Sequence, residues 1–281
     1  FERGPDGIWR AHIPEAAARQ WRFEQLWING RRAVRARTPN EFYFYTTRKP
    51  GYGPDPVTGQ PTDLSHRAFV GRPQDVAALL DLSPEELHDV CLVAYHAWEC
   101  SRHRIAVVEA DSGRIITTGS APWPSMMWGP PQRYVLENLK AALDAPGEWH
   151  LDREGTLHYF PQPHDDPVTS QAVAPALDHL VAIVGEPDLG MTVRHVTFRG
   201  LAFHYSGYTL PPQGHGDGQA AVSVPAVIMV DGAEEVAIED CEIAHTGVYG
   251  VWFRRGCKNC RLVRSHLHDL GAGGVKIGLP G

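Results

Sequence analysis

The chain has 281 residues, 43% of them hydrophobic and 21% charged, which is long enough for two parts that each bury a core. A formal net charge of -7 argues against a nucleic-acid phosphate backbone as partner. No apolar run approaches the roughly 20 residues that span a bilayer, so membrane insertion is not expected. Five cysteines, at 91, 100, 241, 257 and 260, leave one unpaired and follow no disulfide framework. Cys257-Lys-Asn-Cys260 has CxxC form without a second pair, and buried thiols are the better reading.

Residues 1–165 do not repeat. Residues 23–28 and 31–37 flank Asn29-Gly30, a two-residue turn of the hairpin-closing type. Arg31, Arg32, Arg35 and Arg37 alternate there and read as a solvated strand face. The Pro- and Gly-rich stretch 48–66 reads as loop. Ser83-Pro84-Glu85-Glu86 combines an N-cap, a first-turn proline and acidic residues, and so starts a short helix. Strands are expected over 90–98, 105–108 and 114–118, and a helix over 133–143. Residues 148–152 and 156–160 flank a turn at 153–155. The expectation for 1–165 is an antiparallel, sandwich-like β domain with short helices.

Residues 166–281 repeat. The run AVIMVDGAEEVAIEDCEIAHTGVY, 226–249, is followed by GVWFRRGCKNCRLVRSHLHDLGAG, 250–273, so that Gly232 falls on Gly256 and Gly247 on Gly271. A third copy starts at Gly274, and a partial copy at 196–207 precedes them at a spacing of 40. Apolar residues recur at every second position: Phe198, Ile238 and Leu262 share one place, and Phe203, Ile243 and Leu267 another. Period-2 patterning inside a 24-residue repeat predicts stacked parallel strands, hence a right-handed parallel β-helix with a first coil over 180–207. The inserted stretch 208–225, with Gly214-His215-Gly216-Asp217-Gly218-Gln219, reads as a flexible surface loop or a cation or substrate contact. The chain opens on Phe1 and stops at Leu279-Pro280-Gly281 inside a coil. An uncapped solenoid exposes an unpaired edge, so a fragment of a longer protein is expected.

Chemistry in a solenoid belongs to outward positions. The alignment puts Asp240 over Arg264, Glu242 over His266, and His204, Ala244 and His268 in one stack. Tyr205, His245 and Asp269 form the next, and Ile228, Trp252 and Lys276 another. Aromatic rings beside imidazole and carboxylate suit a sugar, whose apolar face stacks while its hydroxyls hydrogen-bond. Candidate catalytic carboxylates are Asp269, Asp240 and Glu242, with Asp217 of the inserted stretch or an acid in coils beyond the given residues as the other possible partners of Asp269. Candidate substrate contacts are His204, Tyr205, His245, Trp252, His268 and Lys276. Against these stand a ladder ion pair for Asp240 with Arg264 and turn-capping roles for His245 and Asp269.

The run LVRSHLHDLGAGGVKIG, with Tyr249-Gly250-Val251-Trp252, YVLENLKAALDAPGEWHLDREGTLHYFPQP and LWINGRRAVRARTPN, resembles bacterial right-handed β-helix glycosidases related to glycoside hydrolase family 141. The resemblance implies a fucosidase- or xylanase-like enzyme on plant or microbial polysaccharide, secreted or periplasmic. It carries Asp269 over as a catalytic carboxylate. No cofactor is required, although calcium is compatible with the fold. A polysaccharide lyase using Lys276, with Asp217 and Asp269 toward calcium, is the alternative enzyme, and a non-catalytic carbohydrate-binding solenoid the alternative of another class.

Overall fold

The computed structural model describes residues 1–18, 20–56 and 58–279. Pro280 and Gly281, where the last coil was expected to break off, lie outside the described residues. The protein is mainly β, and no helix among the described residues is long and apolar enough to cross a membrane. It divides into two compact units. One comprises Phe1–Gln20, Val34–Val168 and Leu210–Ala221, the other Trp21–Ala33, Thr169–Thr209 and Val222–Gly281. The division expected at 165/166 is thus crossed twice: the Asn29-Gly30 hairpin goes with the repeats, and the inserted loop goes with the non-repeating part.

The first unit holds two larger antiparallel-rich sheets and a small hairpin. In one, Cys91–Tyr95 lies between Cys100–Glu109 and Arg133–Glu137, with Arg114–Thr117 and Ala68–Val70 beyond. In the other, Glu148–Leu151 and Thr156–Tyr159 form the expected hairpin, with Trp149 opposite Tyr159. The core packs Phe69, Leu92, Ile105, Ile115, Tyr134 and Leu136, all nearly inaccessible. Of the helix expected over 133–143 only a 3-10 turn at Lys140–Ala142 forms, and Arg133–Glu137 is a strand. Tyr134, Val135 and Leu136 are consecutive and all buried, a pattern that a strand covered on both faces satisfies and a half-exposed helix does not. The loop expected over 48–66 contains a hairpin, Tyr52–Pro54 against Pro61–Asp63. Its prolines stand at the strand ends, where a missing N–H costs least. The Ser83 helix forms as Pro84–Leu87, with Ser83 Oγ accepting from Glu86 N and Glu86 Oε2 accepting from Ser83 N.

The inserted stretch is anchored rather than free. Arg102 and His215 exchange backbone hydrogen bonds of 2.7 Å, and Asp217 is buried. Nearby, Glu99 is buried with no hydrogen-bond partner for either carboxylate oxygen among the described residues. His96 Nε2 stands 3.2 Å from its Oε1 but is engaged with Ser101 Oγ at 2.9 Å. Burial, and then the charge of Asp217, raises the Glu99 carboxyl to about 7. Burial, and then His103, lowers His96 to about 4, so near pH 6 the contact joins two neutral groups. The folded protein therefore keeps a proton that the unfolded chain loses above the ordinary value of 4.5, and stability drains away as pH rises from there through 7. Glu99→Gln is expected to flatten that slope and to stabilise the protein at pH 8 by on the order of 2 kcal/mol. Urea midpoints from pH 5 to 8 measure this, and parallel wild-type and variant profiles would refute it.

The second unit is built from parallel ladders. Val181–Val184, Ala226–Asp231, Tyr249–Phe253 and Val275–Ile277 form one; Thr197–Arg199, Ala237–Glu239 and Arg261–Val263 another; Ala202–Ser206, Glu242–Thr246 and His266–Leu270 a third. Phe198 pairs with Ile238 and Ile238 with Leu262, Phe203 with Ile243 and Ile243 with Leu267, as the repeat requires. Ile228, Val230, Val236, Ile238, Ile243 and Val251 are wholly buried between them. One register differs from the 24-residue alignment. Trp252 pairs with Met229, not Ile228, and Val251 takes Ile228, a shift of 23. Because strand faces alternate, the outward stack is Met229, Trp252 and Lys276.

Corners between ladders repeat too. His195, Glu235 and Asn259 all have positive φ, as do Gly200, Asp240 and Arg264, and Tyr205, His245 and Asp269. A left-handed residue costs a non-glycine side chain about 1–2 kcal/mol, and Asn, Asp and His adopt this conformation more readily than most. Recurrence in each repeat makes these conformations part of the architecture. The positive φ of Asp269 therefore carries no functional meaning by itself.

Candidate active site

The corner stack converges on Asp269. Its Oδ2 accepts from Trp27 Nε1 and from His245 Nδ1, each at 2.8 Å, and its Oδ1 accepts from Arg32 Nε at 2.8 Å. Arg32 Nη2 also donates to the carbonyls of Asp269 and Thr246. Trp27 and Arg32 come from the two strands of the Asn29-Gly30 hairpin, where Trp27 pairs with Arg32. That turn aims both donors at one carboxylate. Burial pushes the Asp269 carboxyl up, but the bonds from His245, Trp27 and Arg32 outweigh it and hold it below its ordinary value. The group is an ionised anchor, and it fixes His245 through Nδ1, leaving Nε2 directed elsewhere. Sequence reasoning missed this use of Arg32, assigned there to a solvated face. No spacing signals it, because its partner is 237 positions away.

Imidazoles cluster beside the anchor. Tyr205 stacks on His245 with centroids 5.1 Å apart and planes 13° from parallel, and the Trp27 edge meets Tyr205 at 5.5 Å. His245 lies 5.4 Å from His204 and 5.6 Å from His268. His204 and His268 both approach Glu242 Oε1, at 3.3 and 3.0 Å. The bond from His268, together with the charge of His204, holds Glu242 below its ordinary value despite some desolvation. Its side chain is 45% exposed and borders a cleft of about 380 Å³, with Leu201, Asp240, Cys241, Arg264 and His266.

Asp240 borders the same cleft with both oxygens occupied. Arg264 donates to them at 2.6 and 3.0 Å and Arg199 adds a third contact at 3.1 Å. Arg264, then Arg199, lowers this carboxyl to about 2. This is the ladder ion pair with Arg264, and it holds the carboxyl ionised. Trp252 and Lys276 stand on another ladder and are engaged with each other: Lys276 Nζ lies 3.2 Å from the Trp252 ring centroid. Lys276 also donates to the Val222 and Val224 carbonyls, and Trp252 Nε1 to Gly278 O. The predicted residues thus separate into an Asp269–His245–Tyr205 anchor, a Glu242–His204–His268 cluster of which Glu242 borders the cleft, and a separate Trp252–Lys276 pair. Among the described residues no group of three or more His, Cys, Asp and Glu side chains is arranged to hold a metal ion, and all five cysteines are free.

No family model matches the chain. No curated protein matches it in sequence. A solved structure described as a glycoside hydrolase is similar to it, with a TM-score of 0.80 at 20% identity over 96% of this chain and 50% of its own. The chain spans about half the length of that structure. At that identity the likeness speaks for architecture alone: the chain has a glycoside hydrolase-like fold.

Proposed function

We propose that the chain belongs to a glycoside hydrolase acting on plant or microbial polysaccharide, fucosidase- or xylanase-like and related to family 141. The strands of each parallel ladder would come from successive coils of a right-handed parallel β-helix, and the enzyme would work outside the cytoplasm. The observation that carries this reading is the likeness to the solved glycoside hydrolase over nearly the whole chain. The cleft supplies what the chemistry asks for on one side: Glu242 is an ionised, accessible carboxylate able to act as nucleophile or base on an oxocarbenium-like centre. Asp269 serves as a positioning residue behind His245.

Glycosidic cleavage also needs a group held protonated to deliver a proton to the leaving oxygen. Asp240, Glu242 and Asp269 are all shifted toward the ionised form, so none of the three fills that role. A carbohydrate-binding solenoid that breaks no bond is the second reading, since three ionised, hydrogen-bonded carboxylates also suit saccharide binding. Wild type and Glu242→Gln, incubated with xylan, fucosylated pectin and aryl glycosides, separate the two. A hydrolase releases reducing ends without ultraviolet absorbance, and the substitution lowers kcat on the order of 10³-fold, equivalent to about 4 kcal/mol. Saccharide binding without any reducing ends would leave the binding reading, and an absorbing, unsaturated product would mean a lyase.

A further inference from the structure

In the first unit, remote in sequence from the repeats, a cleft of about 160 Å³ is lined by Tyr95, His96, Met127, Trp128, Gln132 and Arg133, among others. Trp128 is 42% exposed and meets two further tryptophans edge-on, Trp98 at 4.9 Å and Trp123 at 5.2 Å. Trp98 and Trp123 both donate their indole N–H to the Gly218 carbonyl, at 3.2 and 2.8 Å, so the cluster is set before any ligand arrives. Below it, Gln132 Nε2 donates to His96 Nδ1 at 3.2 Å and Gln132 Oε1 accepts from Met126 N at 2.8 Å. Arg133 is exposed, with its guanidinium 5.1 Å from the Tyr43 ring and 5.7 Å from the Tyr95 ring. Among the described residues no carboxylate pairs with it, and the cleft lining contains no carboxylate.

We propose that this cleft is a binding subsite for a uronic-acid residue of an acidic saccharide, with the Trp128 face under the pyranose ring and the Arg133 guanidinium on its carboxylate. Exposed, mutually braced indoles mark a ligand surface more than a folding need, and a sugar ring offers them an apolar face. The charge chooses among sugars: a planar guanidinium pairs a carboxylate through two parallel hydrogen bonds. Seated over two tyrosine rings, this one is held at the cleft mouth. A quaternary ammonium ligand would meet the wrong sign of charge, and a proline-rich peptide would leave the guanidinium unpaired. The choice of a saccharide rests on the carbohydrate reading above, whereas the preference for an acidic one rests on Arg133.

Calorimetric titration of the full chain, carrying Glu242→Gln so that no turnover contributes, tests this with galacturonate trimer, xylotriose and a sulfated galactan oligosaccharide. The galacturonate trimer is expected to bind at least tenfold more tightly than xylotriose. Arg133→Gln is expected to erase that preference with an unchanged circular dichroism spectrum, and Trp128→Ala to weaken all three ligands. Equal affinity for acidic and neutral trimers, a preference for the sulfated oligosaccharide, or an acid preference that survives Arg133→Gln would overturn the assignment. Those outcomes are independent of whether neutral glycosides are hydrolysed, so subsite and enzyme can fail separately.

Discussion

Asp269→Ala is expected to lower the stability of the repeat unit by about 2–4 kcal/mol, since it removes one carboxylate from three donors and leaves a guanidinium without its counter-charge. The side chains of Arg32 and Asp269 are 30% and 28% exposed, and partial screening keeps the value below that of a fully buried pair. Asp269→Asn keeps an acceptor but not the charge, and should cost about half as much. The pH dependence has a definite sign. A carboxyl whose folded value lies below the ordinary 3.8 contributes fully above 3.8 and loses its contribution as pH falls through the lower, folded value. The gap between wild type and Asp269→Asn in urea midpoint should therefore be full at pH 7 and narrow below about pH 4. An unchanged midpoint at pH 7 would mean that the hairpin donors are satisfied without this carboxylate. The proposed glycosidase activity should fall in Asp269→Ala, because His245 loses the acceptor that fixes its ring, and less in Asp269→Asn, which keeps one.

Gly271→Ala is expected to cost at least about 3 kcal/mol and to leave much of the protein unfolded or aggregated at 37 °C. A Cβ at position 271 would stand 2.2 Å from the Gly247 carbonyl oxygen and 2.3 Å from its carbon. Those are backbone atoms of the neighbouring repeat, which cannot rotate aside as a side chain would. Gly247 is equally confined, with Gly207 carbon and Tyr208 nitrogen at 2.6 and 2.5 Å from its own virtual Cβ. Gly247 on Gly207 and Gly271 on Gly247 therefore form a column in which a side chain at 247 or 271 would strike the backbone of the preceding repeat. Gly274→Ala is the control within the same repeat: its nearest neighbour, Leu267 Cδ2, lies at 3.6 Å, an ordinary contact. Denaturation midpoints of the two variants should differ widely, and similar midpoints would dissolve the column argument.

These two residues show what was legible in the primary sequence and what was not. Gly247 and Gly271 announce themselves by spacing, because each repeat must solve the same local problem of a tight corner. Phe203, Ile243 and Leu267 announce the strand faces by alternation, for the same reason. Local and periodic constraints are written into neighbouring residues, so mainly-β character and the parallel stacking positions follow from sequence alone. The one-residue shift at Trp252 escaped, since a ladder register depends on how the turn after Phe253 is accommodated. Tyr134, Val135 and Leu136 were misread because their strand is covered on both faces, which only the packed sheet decides. Tertiary structure alone brings Trp27 and Arg32 to Asp269, across more than 230 residues, and leaves Arg133 over two tyrosine rings with no acid to meet it among the described residues. Partnership between side chains far apart in the chain leaves no period to read: it exists only once backbone geometry has set both ends within hydrogen-bond reach.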